Sequence, residues 1–451
     1  MKKILAFLLA AVMVLSLAAC GGSASSAPAD STPADSAPAD QAPADAAGDG
    51  TTITLWTYPI GKWGDEAAVK ALTDAFTAET GIAVQVEYLA YADGDDKVNT
   101  AITAGNAPDL VMEGPERLVA NWGANGHMVD LSDMLDDTDK SEINAAVMSA
   151  CVNAAGECYE YPLVMTAHCM AINMDAFKAA GADQYIDLDT RTWTTDDFIK
   201  AVAALYAEYG DTVGAVYCGG QGGDQGTRAL VNNMYGGTFT DAAHTTYTWD
   251  DPKNVQALEQ LASMDGIAFD ASLAGGDEID LFYKGILKMA FCWNIAQQLD
   301  PNAQGTGSGL TINGEEIVFM GFPSESGEPK LQGGIWGFGV FDNGDQARID
   351  AAKQFIKYMC DSEHTVDAVK TANYFPVRSA AEGTDLSTIW ASEEIMDQYQ
   401  VLMPYLGDYY QVTTGWAGAR TEWWNMLQKV GEGADVATVV AEYAANANAA
   451  A

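Results

Sequence analysis

"TAITAGNAPDLVMEG", residues 100 to 114, passes from a helical run through a Gly-Asn-Ala-Pro break into a short apolar strand. Its helical spacing begins near Asp95 and ends at Ala104, its strand is "DLVME" (109 to 113), and a further helical stretch follows in "PERLVANWGANG". Upstream, "ITLWTY" (53 to 58) alternates, Asp65 to Ala78 carries apolar residues at helical spacing up to Gly81, and "IAVQVEY" (82 to 88) is again strand-like. Strand, helix, strand, helix, strand is the pattern of an α/β domain with a mostly parallel sheet. Helical spacing recurs at Lys140 to Ala150, Thr195 to Tyr209, Arg228 to Tyr235, Asn254 to Met264, Asp277 to Leu287, Gln346 to Cys360 and Glu422 to Lys429. Between them lie strand candidates at "CMAIN", "GAVYC", "KMAFCW", "IVFMGF" and "IWGFGVF". In open α/β sheets ligands bind beyond the carboxyl ends of strands, so residues that follow these runs are the first site candidates.

The N-terminus is of another kind. Met1-Lys2-Lys3 precedes an apolar run from Ile4 to Ala19, the basic and apolar regions of a secretory signal. The run is too short to span a bilayer. Leu17-Ala18-Ala19-Cys20 resembles a bacterial lipobox, which implies that residues 1–20 are a lipoprotein signal and that Cys20 carries lipid; the bland alternative is cleavage near Ala19 with Cys20 a bystander. "SAPAD", "STPAD", "SAPAD" and "QAPAD" (26 to 45) repeat a unit with no large apolar residue, so residues 21–50 have nothing with which to offset the entropy of folding. Prolines favour extension at about 3.1 Å per residue and aspartates repel, so this stretch reads as a tether.

The roughly 400 residues from Thr51 exceed what one core usually fills and point to two domains. Formal charge is −41, and −43 once Lys2 and Lys3 are lost, which argues against nucleic acid or anionic membrane as a partner. Seven cysteines less Cys20 leave six, without CxxC or zinc spacing to histidine, and they read as small buried hydrophobes; Cys151 and Cys158 are near enough in sequence to pair if oxidised. The four histidines are scattered, and neither a metal nor a cofactor is expected.

The opening stretch, with "ANGHMVDLSDML" (124 to 135) behind it, resembles extracellular solute-binding proteins of the maltose-binding type, the capture subunits of ABC sugar importers. "GECYEYPL" (156 to 163), "AINMDAFKAAGAD" with "TWTTDDF" (171 to 198), "NVQALEQL" (254 to 261), "FYKGILKMAFCW" (282 to 293), "GGIWGFGVF" with "AAKQFIKYM" (333 to 359) and "YFPVRSAA" (374 to 381) follow in the family's order. Ile172-Asn173 and Trp336 depart from the residues usual there. The resemblance implies a two-lobed periplasmic-binding-protein fold of type II, each lobe a mostly parallel sheet flanked by helices, joined by a hinge that closes on ligand. It places crossings between the lobes near "YPLVMTAH" (161 to 168), "GFPSESGEPKLQGG" (321 to 334) and residues 400 to 414. Lobe one would hold 51–163 with 335–405, and lobe two 164–334 with 406–451. The implied protein is a non-enzymatic monomer, lipid-anchored on the outer face of the cell membrane, that captures a mono- or oligosaccharide and delivers it to ABC permease subunits.

A sugar presents a flat C–H face and a fringe of hydroxyls, so its site needs aromatic platforms and polar partners. The sequence has eleven Trp and nineteen Tyr. Trp293 leads the candidates because the resemblance puts a site aromatic near that strand end; the alternative is a core tryptophan beneath the helix at Asp277. Trp416 stands equally, Trp56 and Tyr58 are either platforms or a packed strand face, and Trp336, among Gly333, Gly334 and Gly337, projects into the cleft or packs a hinge. Polar candidates are Glu113, which follows a strand, His168 at the first crossing, Asn294 and Arg420. Arg378 in "FPVR" reads as a loop tie.

Other readings are a same-fold binding protein for a polyamine, iron complex or phosphate ester, and a secreted glycoside hydrolase. The hydrolase rests on acid pairs such as Asp95-Asp96 and Asp196-Asp197, yet a glycosidase needs carboxyls that face each other across substrate, and sequence neighbours diverge. GxSxG is missing, and in "GGQGGDQG" (219 to 226) Gln225 stands where the last glycine of GxGxxG belongs. Cys20→Ala should abolish palmitate labelling and release the protein from the membrane fraction, as fractionation of labelled cells would show.

Overall fold

The computed structural model describes residues 50–91, 93–153, 155–220, 224–299, 308–407 and 409–451. The leader, Cys20 and all but the last residue of the tether lie outside these.

Strand β1 (Thr52–Thr57) leads through α1 (Glu66–Thr80) to β2 (Ala83–Tyr88), then through α2 (Gly94–Ala104) to β3 (Leu110–Glu113). The α1 helix starts where the Asp65 side chain accepts the Ala68 N–H at 2.9 Å, and it buries Val69, Leu72, Thr73 and Phe76, one face at helical spacing. β4 (Tyr161–Ala167) and β5 (Cys169–Asn173) follow, separated only by His168, then α3 (Met174–Ala180), α4 (Thr195–Tyr209), β6 (Gly214–Tyr217), α5 (Gln225–Tyr235), α6 (Pro252–Ser263), β7 (Ile267–Asp270), α7 (Gly275–Tyr283), β8 (Met289–Trp293) and β9 (Ile317–Met320). The fold ends with β10 (Gly333–Val340), α8 (Gln346–Cys360), α9 (Thr365–Ala372), β11 (Phe375–Pro376), α10 (Trp416–Gly431) and α11 (Val436–Ala450).

One sheet runs in the order β11-β4-β10-β3-β1-β2. Its core is sealed by α8: the Phe355 ring stands edge-on to Phe338 of β10 at 5.6 Å and to Phe76 of α1 at 5.1 Å. A second group of strands, β8-β5-β9, is joined to the β6-β7 pair where the Lys288 and Met289 N–H groups donate to the Val213 carbonyl at 2.8 and 3.1 Å. There Phe239, Trp249 and Trp423 pack with ring centroids 4.8 to 5.7 Å apart. β4 and β5 belong to different sheets, as do β9 and β10, so the backbone passes from one sheet to the other at His168 and again over residues 321–332.

The six-stranded sheet is mixed rather than mostly parallel, and in the second group β8-β5-β9 is antiparallel throughout beside the parallel β6-β7 pair. Among the strands named, parallel pairing joins β1 with β2 and β3, and β6 with β7; β10 is antiparallel to β3 and β4, β4 to β11, and β5 to β8 and β9. A strand that leaves a sheet for the other one and a strand that returns must run in opposite directions, which local βαβ patterning does not convey. The stretch 161–167, expected as a connection, is itself a buried strand.

Asp139 binds several of these elements together. Its carboxylate accepts from Arg378 Nη2 at 3.0 Å, from the Tyr161 hydroxyl of β4 at 2.9 Å and from Lys357 Nζ of α8 at 3.1 Å. Arg378 also reaches Glu142 and the Ala380 and Cys360 carbonyls, so it does tie a loop. The six described cysteines are buried and free, Cys151 and Cys158 among them. No helix among the described residues is long and apolar enough to cross a membrane. Arg378→Met leaves the Asp139 carboxylate buried without its guanidinium, and should cost about 3 to 5 kcal/mol in denaturant unfolding.

Candidate functional site

Strands β3 and β10, the start of α2 and the segments that follow β2, β3 and β4 open onto a cleft of about 710 Å³. One wall is built around Glu113, the last residue of β3, 1% exposed. Glu113 lies 3.3 Å from Arg117 Nη1 and accepts the N–H of Gly114. Arg117 donates from Nε to Asp95 at 2.7 Å and from Nη1 to Glu116 at 3.4 Å. Its guanidinium lies 5.3 Å from the Tyr58 ring centroid and 5.7 Å from that of Tyr91. Burial pushes the Glu113 carboxyl up to about 8, with Arg117 pulling the other way. Behind it Glu160 is fully buried, and burial raises its carboxyl well above the ordinary range too.

Aromatic faces complete this wall. Tyr91, half exposed, stacks on Tyr58 at 5.2 Å, while Tyr58 itself is sealed beneath and donates its hydroxyl to Asp95. Gly94 makes this possible, because a Cβ there would stand 2.6 Å from the Tyr58 ring. Trp336 stacks on Tyr374 at 4.7 Å with planes 21° apart, and its ring lies across Gly334, where a Cβ would come within 2.2 Å of the indole. The Gly-Gly-Ile-Trp sequence is therefore what lays the indole along its own strand. Tyr409 donates its hydroxyl to Glu116 at 2.7 Å.

The facing wall comes from α5, α10 and the β4–β5 junction. Asp224, 2% exposed, accepts from Arg228 Nη1 and from Arg420 Nε at 3.0 Å and Nη2. Burial alone would raise its carboxyl, but the two guanidiniums hold it below the ordinary range. Both arginines line the cleft, with Gln225 and His168 beside them. Burial and the Arg228 charge push His168 down to about 4, so its ring is neutral at physiological pH.

Of the sequence candidates, Glu113, His168, Trp336 and Arg420 thus come together around one cavity. The others do not line it. Trp293, 1% exposed, packs between Phe282 and Tyr283 of α7 at 5.4 Å from each, and its indole N–H donates to Gln298. It is a core tryptophan rather than a cleft platform because α7 covers its strand. Asn294 accepts the Ala296 N–H at 2.7 Å, starting the short helix Ile295–Leu299. Trp56 lies half-buried on β1 against the core, and Tyr58 is covered by Tyr91. Trp416, 8% exposed, packs behind Arg228, whose guanidinium is 4.8 Å from its ring. Reading from sequence missed Tyr91, Arg117, Arg228 and Tyr409; only Tyr91 carried a signal, standing just beyond β2.

Because the folded Glu113 carboxyl holds its proton up to about 8, its contribution to stability is fully present below its unfolded value, near 4.5. It is lost as pH rises through about 8. Glu113→Gln should flatten the fall in stability over that window in urea titrations at stepped pH; an unaltered slope would show that Glu113 is ionised throughout.

Comparison with known proteins agrees with this architecture. A search of curated proteins returned no match. Among solved structures, an ABC substrate-binding protein from Listeria monocytogenes in complex with cycloalternan superposes with a TM-score of 0.68 at 20% identity, covering 89% of this chain and 99% of that one. The cyclic alpha-maltosyl-1,6-maltose binding protein of Arthrobacter globiformis gives 0.67 at 20% identity, with the same coverage. A putative oligosaccharide periplasmic-binding protein from Synechococcus sp. MITs9220 gives 0.69 at 15%, covering 88% and 98%. These likenesses establish the two-lobed binding-protein fold. Residues 61–365, about two-thirds of the sequence, match one family along their length. The protein belongs to the bacterial extracellular solute-binding proteins.

Proposed function

We propose that the protein captures a carbohydrate in this cleft and delivers it to the membrane permease of an ABC importer, without chemistry of its own. The observation that carries the reading is the pairing, around one cavity, of aromatic faces with fixed polar groups. Trp336, Tyr91 and Tyr409 offer platforms for C–H faces, while Glu116, Arg117, His168 and Arg420 offer acceptors and donors for hydroxyls. The saccharides named for the Listeria and Arthrobacter structures support the same ligand class. In this reading lobe one is 51–163 with 335–405, lobe two is 164–334 with 406–451, and a hinge motion closes them on ligand. The protein works as a monomer held to the outer face of the membrane by lipid on Cys20.

A polyamine is the second reading, favoured by the carboxylates of Asp93, Asp95, Asp96 and Glu116 along one wall. A phosphate ester is less well served, since Arg228 and Arg420 already share Asp224.

Calorimetric titration against glycans and polyamines separates these readings. A glycan should bind, and Trp336→Ala should weaken it by about 2 kcal/mol or more, at least tenfold in Kd. Small-angle scattering should show a smaller radius of gyration with saturating glycan. Binding confined to polyamines would replace the sugar reading, and recovery of cleaved glycan would end the binding-protein reading.

A further inference from the structure

The two passages of the backbone between the sheets lie side by side. At the first, the His168 N–H donates to the Gln332 carbonyl at 2.7 Å, which bonds the β4–β5 junction to the segment that returns from β9 to β10. Residues 405–407, on the way from β11 to α10, are laid along the second. There the Leu331 N–H donates to the Tyr405 carbonyl at 2.7 Å, and the Leu331 carbonyl accepts the Gly407 N–H at 2.8 Å.

Tyr399, the last residue of the short helix Glu394–Tyr399, is fully buried against the first passage. Its hydroxyl donates to the Ala167 carbonyl at 2.9 Å and lies 3.0 Å from Cys169 Sγ. A phenol has one proton to give, so the Cys169 thiol is the donor in the second contact. Ala167 ends β4 and Cys169 begins β5, so a single hydroxyl touches both residues that flank His168. The ring of Tyr399 likewise touches both sheets. It lies 4.7 Å from Phe319 of β9, in the second group of strands, and 5.8 Å from Phe375 of β11, in the six-stranded sheet.

We infer that Tyr399 is the positioning residue that sets the angle between the lobes and holds the cleft open until ligand closes it. This rests on the reading of the cleft as a hinged ligand site. A hinge concentrates its rotation in a few residues, and the residue between β4 and β5 is His168, whose side chain also lines the cleft. Rotation there moves the Ala167 carbonyl relative to the Cys169 thiol, and a hydroxyl within 3.0 Å of both fits one angle only. Stacked rings tolerate a small slide, whereas hydrogen bonds weaken steeply once they leave their line. The angle that Tyr399 fits is the one in which Tyr91 is half exposed at the cleft and Trp336 still reaches solvent. Closure gives up these contacts, and the ligand must supply that free energy. Apparent affinity is the affinity of the closed form scaled by its population, so a residue that favours the open form weakens binding.

Tyr399→Phe keeps the ring and deletes the hydroxyl. Small-angle scattering of the full-length protein without ligand should then give a smaller radius of gyration than the parent; residues 1–50 are common to both, so the difference reports the lobes. Calorimetric titration with maltotriose should give a Kd lower by about two- to tenfold, the worth of one net hydrogen bond. Cys169→Ala removes one of the two partners and should move both readouts in the same direction by less. Leu205→Ala, in the core of α4 where that helix packs on α3, lowers the melting temperature but should leave radius and Kd at the parent's values. It separates a loss of stability from a change of angle. An unchanged or larger radius in Tyr399→Phe would overturn the assignment, as would a Kd equal to the parent's or shifts of the same size in Leu205→Ala. If maltotriose binds neither parent nor variant, the sugar reading fails for that glycan, and the ligand-free radius by itself decides the role of Tyr399.

Discussion

Arg117 places one guanidinium among Glu113, Glu116 and Asp95, and the shape of a whole wall of the cleft depends on it. Three carboxylates brought to the end of β3 and the start of α2 would repel each other in a partly dry setting, where Coulomb energies are several times their value in water. The guanidinium offsets that repulsion, and it also lies against Tyr58 and Tyr91, so that one cation sets both the carboxylates and the rings. Glu116, held in this way, accepts the hydroxyl of Tyr409 and so fixes a segment nearly three hundred residues later in the sequence. Burial, more than the neighbouring carboxylates, pushes the Glu113 carboxyl up against the pull of Arg117.

The other wall inverts the arrangement. There a single carboxylate, Asp224, lies between Arg228 and Arg420. The walls therefore carry opposite excess charge, although the protein as a whole is strongly acidic. Net charge describes the surface at a distance and steers association; the character of a site follows from which side chains a few strand ends and helix starts bring within hydrogen-bond reach.

Local periodicity was a good guide where an element's burial is one-sided. Thr195 to Tyr209 and Gln346 to Cys360 were legible to the residue, because caps and apolar spacing are written into neighbouring positions. α11 escaped notice, its small residues giving a weak pattern. Candidates beyond strand ends came to the cleft when the backbone left them one direction to point, as at Glu113, or when glycines cleared a path, as at Trp336. Trp293 shows where that reasoning stops: a strand end locates a residue near the ligand side, yet whether its ring faces the cleft or the covering helix is settled by the helix.

Sequence by itself determined the class of fold, the order of most elements, the family, and the division between an apolar leader, a repeat without core-forming residues and a long globular remainder. Those properties depend on composition and on spacing within a few turns, so they survive without knowledge of the partners. Tertiary structure alone decided the strand directions, the burial of Trp293, Tyr58 and Trp416, and the meeting of Arg117 with Asp95 and of Asp224 with Arg420. Each of these depends on contacts between residues far apart in sequence, and the free energy of a side chain is set by what surrounds it, not by its neighbours along the backbone.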